Sequence, residues 1–251
     1  MSEDNANKKR KSKWTTSYSN MSIEDAEERL GVTMSSIRGN SIAVEDMLVQ
    51  CAYAVEDISK SKEKVYDHIL EHLEMEGYPG EEDPDFKESN VNDLVHYIIG
   101  PIISDFRRKT GRNIRLRREK EIVAVDSETG GYEEFVVMDV IAIKEKKFVL
   151  IVESKRSSLG HAMKQCLLAM EDMRGNNGGV GEIYGFVTTG ETWRMIRYDG
   201  TSFKMTRKIE VVFEGMDQEK ELWMKHYSVL VDCMYAALSY EGIAKKDVVV
   251  V

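Results

Sequence analysis

The stretch EFVVMDVIAIKEKKFVLIVESKRS, residues 134–157, constrains the fold of this 251-residue chain more than any other segment. Phe135–Ile143 and Phe148–Val152 are dense in Val, Ile and Phe, and a charged link, Lys144–Lys147, separates them. That pattern predicts a β-hairpin. The first strand carries Asp139, and the second ends in Glu153-Ser154-Lys155. Residues two apart on a strand share a face, so Glu153 and Lys155 project together. Asp139 joins them only if the hairpin sets it opposite 151 or 153. That needs an odd connection, such as loop residues 145–147 with Lys144 paired to Phe148, or a bulge. Two carboxylates converging at the rim of an apolar sheet call for a cation, and oxygen ligands suit Mg²⁺ or Mn²⁺. Asp139, Glu153 and the Ser154 carbonyl are the candidate ligands. Lys155 is placed to orient a water or to neutralise developing charge.

The remaining chain predicts helices first and a sheet afterwards. Residues 1–20 are polar and basic, with the run KKRKSK, and read as a disordered tail. From 21 to 108 the apolar spacing is helical. Ser22 opens a short helix with a capping box, Ser41 caps a helix through Val44–Ile58, and Val65–Leu73 form a stripe ended by Gly77. Val91–Ile102 form a third helix, bent at Pro101. Residues 109–242 then carry strands at Asn113–Val123, the hairpin, a helix over Leu159–Arg174, strands Ile183–Thr188 and Trp193–Tyr198, a further pair within 202–213, and a helix within 217–240. Residues 243–251 form a tail. This order predicts an α/β fold, a mixed sheet flanked by helices, with an N-terminal helical extension. That extension is left to dimerise the chain as a homodimer, gate the cleft or bind a partner.

The formal charge of −9 argues against a protein that coats nucleic acid indiscriminately. Its distribution is uneven. Residues 107–120 hold eight Lys/Arg against one Glu. Arg107, Arg108, Lys109, Arg112, Arg115, Arg117 and Arg118 therefore form the candidate phosphate-binding strip. KKRKSK suits a nuclear-import signal or a phosphate-binding arm. No apolar run is long enough for a membrane helix. Three cysteines, odd in number and widely spaced, read as free thiols in a reducing compartment.

The (D/E)-x-K spelling occurs three times, at Asp85-Phe86-Lys87, Glu145-Lys146-Lys147 and Glu153-Ser154-Lys155. Only the last ends an apolar strand with an acid on the strand before it. With the following helix, IYGFVTTG and TWRMIRYDG, residues 134–198 resemble the PD-(D/E)XK, restriction-endonuclease-like superfamily. The wording VESKRSSL…QCLLAM…YGFVTTGETWRMIRY resembles restriction-endonuclease-like domains of fungi, including those found in crinkler-type effectors, more than bacterial exonucleases. The resemblance implies hydrolysis of nucleic acid, DNA foremost, with Mg²⁺ or Mn²⁺. It adds Gln165 and Lys164 from the next helix, and an acid from the first core helix, where Asp93 is the nearest match and Glu88 the second. The alternative is a catalytically silent module of the same fold that binds nucleic acid or a protein partner.

Two other patterns compete. His68-Ile69-Leu70-Glu71-His72 spells an inverted zinc-protease motif, but no distinctive third ligand follows. Its plainer reading is an exposed polar face of an amphipathic helix. GNNGGVG, residues 175–181, lacks the Lys-Ser/Thr of a phosphate loop and reads as a connector.

Overall fold

In a computed structural model the described residues are 13–51, 58–79, 85–142, 145–156 and 159–240. Most of the basic tail, the end of the helix expected through Ile58 and the chain beyond Tyr240 lie outside them. A short strand β1 (Thr16–Ser17) leads into α1 (Ile23–Leu30), α2 (Met34–Gly39), α3 (Val44–Gln50), α4 (Ser59–Glu76) and α5 (Glu88–Thr110). Then come β2 (Ile114–Val123), β3 (Thr129–Val140), β4 (Lys146–Ser154), α6 (Leu159–Asn176), β5 (Ile183–Thr188) and β6 (Thr192–Tyr198). β7 (Phe203–Met205), β8 (Ile209–Glu210), a helical turn α7 (Lys220–Leu222), a π-helical turn at Trp223–Tyr227 and α8 (Val229–Ser239) complete the described chain.

Local chemistry accounts for the helix ends. The Ser22 hydroxyl accepts from the Asp25 amide and opens α1, as the capping pattern requires. Gly31 and Gly111 close α1 and α5 in left-handed backbone. α3 differs from expectation, because Ala43 caps it with no side-chain bond and Ser41 lies outside. α5 runs through Pro101 for 23 residues. Among the described residues no helix is long and apolar enough to cross a membrane.

All eight strands described belong to one mixed sheet, with β1–β3 and β4–β5 parallel and the other pairings antiparallel. One face is covered by α4, α5 and α8, whose Val65, Leu94, Ile98 and Leu238 share a core with Phe135, Leu150 and Phe186. α6 covers the other with α1 and α2, burying Leu167 and Met170 against Val136, Ile151 and Ile196. α6 is the crossover between the parallel pair β4 and β5.

The register corrects the expected hairpin. β3 ends at Val140 and β4 begins at Lys146, two residues before Phe148, so the turn falls earlier than the charged link suggests. Asp139 pairs with Lys147, Val137 with Leu150 and Phe135 with Val152, and the slip between Val137 and Met138 is a bulge. β2 occupies one edge of β3 from Gly130 to Asp139, so β1 at Thr129–Gly130 and β4 from Phe135 onward share the other. Between them Gly131–Glu134 are left open at the point where β4 ends.

A change of facing falls at the same point. Residues 131, 133 and 135 should share a face. Yet a Cβ on Gly131 would meet Tyr18, in the α6 layer, whereas Phe135 packs in the α5 layer. The ladder with β2 passes from Arg118–Phe135 to Lys120–Glu133, and Glu119 between them takes φ 48°. This left-handed residue twists the ribbon, so Glu133 faces α6 and Phe135 faces α5.

The bare backbone at Gly131 lets Tyr18 cross it and donate to Asp172 of α6 at 2.7 Å. That Cβ would stand 2.5 Å from the Tyr18 ring. Gly131→Ala is expected to push the ring aside and lower stability by about 1–3 kcal/mol, read as a drop in the urea midpoint.

Candidate active site

Four glutamates and one lysine meet at the open end of β4. The Lys155 ammonium donates to Glu88 of α5 at 2.8 Å and to Glu134 of β3 at 2.8 Å, and lies 3.4 Å from Glu153. The Lys155 amide donates to the Thr188 carbonyl, so β4 stays beside β5 to its last residue. The cluster therefore sits at the carboxyl ends of the two parallel strands, where the crossover to α6 begins. Open α/β sheets place ligand sites at such ends.

Glu153 is fully buried and faces α6, where Gln165 donates its amide to one carboxylate oxygen at 3.1 Å. Its other oxygen has no hydrogen-bond partner among the described residues. Glu133 is also fully buried, and neither of its oxygens has one. Burial pushes the Glu133 carboxyl well above the ordinary carboxylate range, and the neighbouring Glu153 pushes it further. Burial, then the charge of Glu134, raises Glu153 to about 7 despite Glu133 and Lys155 pulling the other way. Two carboxyls so placed share a proton readily, and a proton on one gives the other its missing donor. Burial works to lower the Lys155 ammonium, but Glu153, Glu134 and Glu88 outweigh it and hold the group above the usual lysine range.

Glu134 is fixed from both sides. Its carboxylate accepts from the Ser154 amide at 3.2 Å, from the Ser154 hydroxyl and from Lys155. The hydroxyl also touches Asn92 of α5. One hydroxyl proton serves one acceptor at a time, so Glu134 and Asn92 compete for it.

Of the residues singled out from sequence, Glu153, Ser154, Lys155 and Gln165 come together. Asp139 does not. It lies opposite Lys147, about 20 Å along the sheet from Glu153, and accepts from Arg112 at 2.9 and 3.0 Å. The earlier turn puts it there, and Glu133 and Glu134 stand where the acid was expected. Asp93 is paired with Arg118 at 3.2 Å on the exposed side of α5, and Glu88 is the α5 acid that reaches the cluster. Lys164 is buried and donates to the Ser19 and Met21 carbonyls, so it fastens the N-terminal segment and is not free for phosphate.

The basic strip divides. Arg107, Arg108, Arg112, Arg115 and Arg117 line an open cleft of about 710 Å³ between the end of α5 and the start of β2. Arg118 lies over the Phe135 ring beside Asp93, and Lys109 pairs with Asp105 at 3.1 Å. His72 is buried rather than exposed, lies tilted against Tyr97 with ring centroids 5.1 Å apart, and has neither ring nitrogen bonded among the described residues. Burial lowers its pKa.

Among the described residues no three His, Cys, Asp or Glu side chains are arranged to hold a metal ion between them. Mg²⁺, however, commonly takes one or two carboxylates and fills its shell with water and substrate oxygens. The unpartnered oxygens of Glu133 and Glu153 fit that requirement in charge and chemistry. The sequence matches no protein-family profile and no curated protein.

Proposed function

We propose that this protein is a metal-dependent nuclease of the PD-(D/E)XK type that hydrolyses phosphodiester bonds of nucleic acid, DNA foremost. One observation carries the reading. Buried Glu153 keeps an oxygen without a partner beside Glu133, and Lys155 two residues along is surrounded by Glu88, Glu134 and Glu153. The order α5, three antiparallel strands, α6 and the parallel strand β5 agrees with a restriction-endonuclease-like core. In this reading Glu88 is the acid of the first core helix and Glu133-Glu134 replaces the Asp of the motif. Glu153 and Glu133 are the residues that would hold Mg²⁺ or Mn²⁺, which would supply Lewis-acid polarisation of the phosphoryl group and a more acidic water. Lys155 neutralises charge developing on the phosphate, and Gln165 fixes the Glu153 carboxylate.

The test is cleavage of supercoiled plasmid, single-stranded DNA and RNA with Mg²⁺ or Mn²⁺. Glu153→Gln is expected to lose activity by about a thousandfold or more. Asp139→Asn is expected to stay within about tenfold of the native rate. The proposal fails if no substrate is cut, or if Glu153→Gln cuts as fast as the native protein.

A further inference from the structure

The cleft at the far end of α5 holds the strongest unassigned concentration of charge. Five guanidinium groups line it in a protein of net charge −9. Arg112 is held by Asp139 and the Leu238 carbonyl, and Arg108 reaches Asp105 at 3.3 Å. Arg107, Arg115 and Arg117 have no carboxylate partner among the described residues. Charges left uncompensated in a concave site focus field and attract anions. Apolar flooring from Ile103, Ile114 and Leu116 lets the cleft accept something bulkier than a small ion.

The cleft and the carboxylate cluster lie at opposite ends of α5. Asp93, His96, Gly100, Ser104 and Arg107 recur at helical spacing along α5, with Glu88 and Asn92 at its start. Gly100 and Ser104 line both this cleft and a smaller hollow beside His68, His96 and Tyr97. Arg118 pairs with Asp93 of α5 between the two ends. Asn92 to Arg107 spans about 22 Å of helix.

We propose that the arginine cleft binds backbone phosphates of the nucleic-acid strand under attack, about six nucleotides from the scissile bond, and so selects extended substrates over short ones. The spacing follows from about 3.4 Å per nucleotide in a duplex strand. The inference rests on the nuclease reading for the scissile end only. Phosphate capture in the cleft needs no chemistry at the carboxylates.

The test uses the full chain carrying Glu153→Gln, with binding read by fluorescence anisotropy without divalent metal. Probes are labelled DNA hairpins with stems of about 4 and about 20 base pairs. The longer duplex is expected to bind at least tenfold more tightly. Adding Arg107→Gln, Arg115→Gln and Arg117→Gln should erase that advantage. It should also flatten the slope of log affinity against log salt by about 2–3, at about 0.9 for each phosphate no longer neutralised. Circular dichroism confirms that the triple variant is folded. Equal affinity for both lengths, or an unchanged salt slope in a folded triple variant, overturns the proposal. So does binding of polyglutamate, but not of duplex, that the arginine changes abolish. Absence of cleavage by native protein that still shows the arginine-dependent length effect defeats the nuclease reading and leaves this one standing.

Discussion

Lys155→Met is expected to lower stability by about 3–5 kcal/mol near pH 8, and by much less near pH 5. Lys155 is the one cation in contact with Glu88, Glu134 and Glu153 among the described residues, and its side chain is only 19% exposed. Removing it leaves mutually repelling carboxylates in a poorly hydrated pocket. The pH dependence does not come from the lysine. A raised lysine pKa contributes stability below the unfolded value, lost only as pH climbs through the folded one, so Lys155 stays charged over this range. It comes from Glu133 and Glu153, both held above the ordinary carboxylate range. Near pH 5 they are largely protonated, and the deleted cation is missed by fewer charges. Urea midpoints of both proteins at the two pH values measure the effect. An equal loss at both would show that Lys155 acts through packing alone.

The same cluster shows how far the sequence could be read. Glu153 and Lys155 were legible because a strand of Val, Ile and Leu leads straight into them, and alternation fixes their common face. Gln165 followed from the resemblance and its distance into the next helix. The partner acid was not legible, because it depended on register. The charged link suggested a turn centred beyond Lys144, whereas pairing resumes at Lys146. Each residue by which a turn shifts moves the opposed position by two, which carried the expected acid away from Glu153 and brought Glu133-Glu134 to it. No periodicity in Glu133-Glu134 tells which of the two faces the core, because a left-handed Glu119 on the neighbouring strand decides it. Glu119 is an ordinary residue in an alternating charged strand, with no glycine to mark the twist. The burial of Lys164 is illegible for a related reason. Its sequence neighbourhood is that of an exposed helical lysine, and the segment that buries it lies more than a hundred residues away at Ser19–Met21.

Glu133→Gln is expected to do what a change in a buried hydrogen-bonding residue seldom does, and stabilise the protein. An acid whose folded pKa is raised contributes stability below its unfolded pKa and loses it as pH rises through the folded value. For Glu153 that window runs from the ordinary carboxylate value of 4.5 to about 7, and for Glu133 it extends upward from the same start. Native protein free of divalent metal should therefore weaken from about pH 5 to pH 8.5, by about 3 kcal/mol from Glu153 alone. The glutamine keeps the shape, carries no charge and offers an NH₂ donor to the unpartnered Glu153 oxygen. Its stability should vary less with pH and exceed that of the native protein by about 1–3 kcal/mol at the alkaline end. Mg²⁺ supplies the second half of the comparison. A ligand of the folded state at about 100 times its dissociation constant adds about 2.7 kcal/mol, so native protein should gain at pH 8.5 and Glu133→Gln should gain less. Thermal melts of both proteins with and without Mg²⁺ decide the matter. A native protein that grows more stable between pH 5 and 8.5 would contradict the strained carboxyl pair. An equal Mg²⁺ gain in both proteins would move any metal away from Glu133.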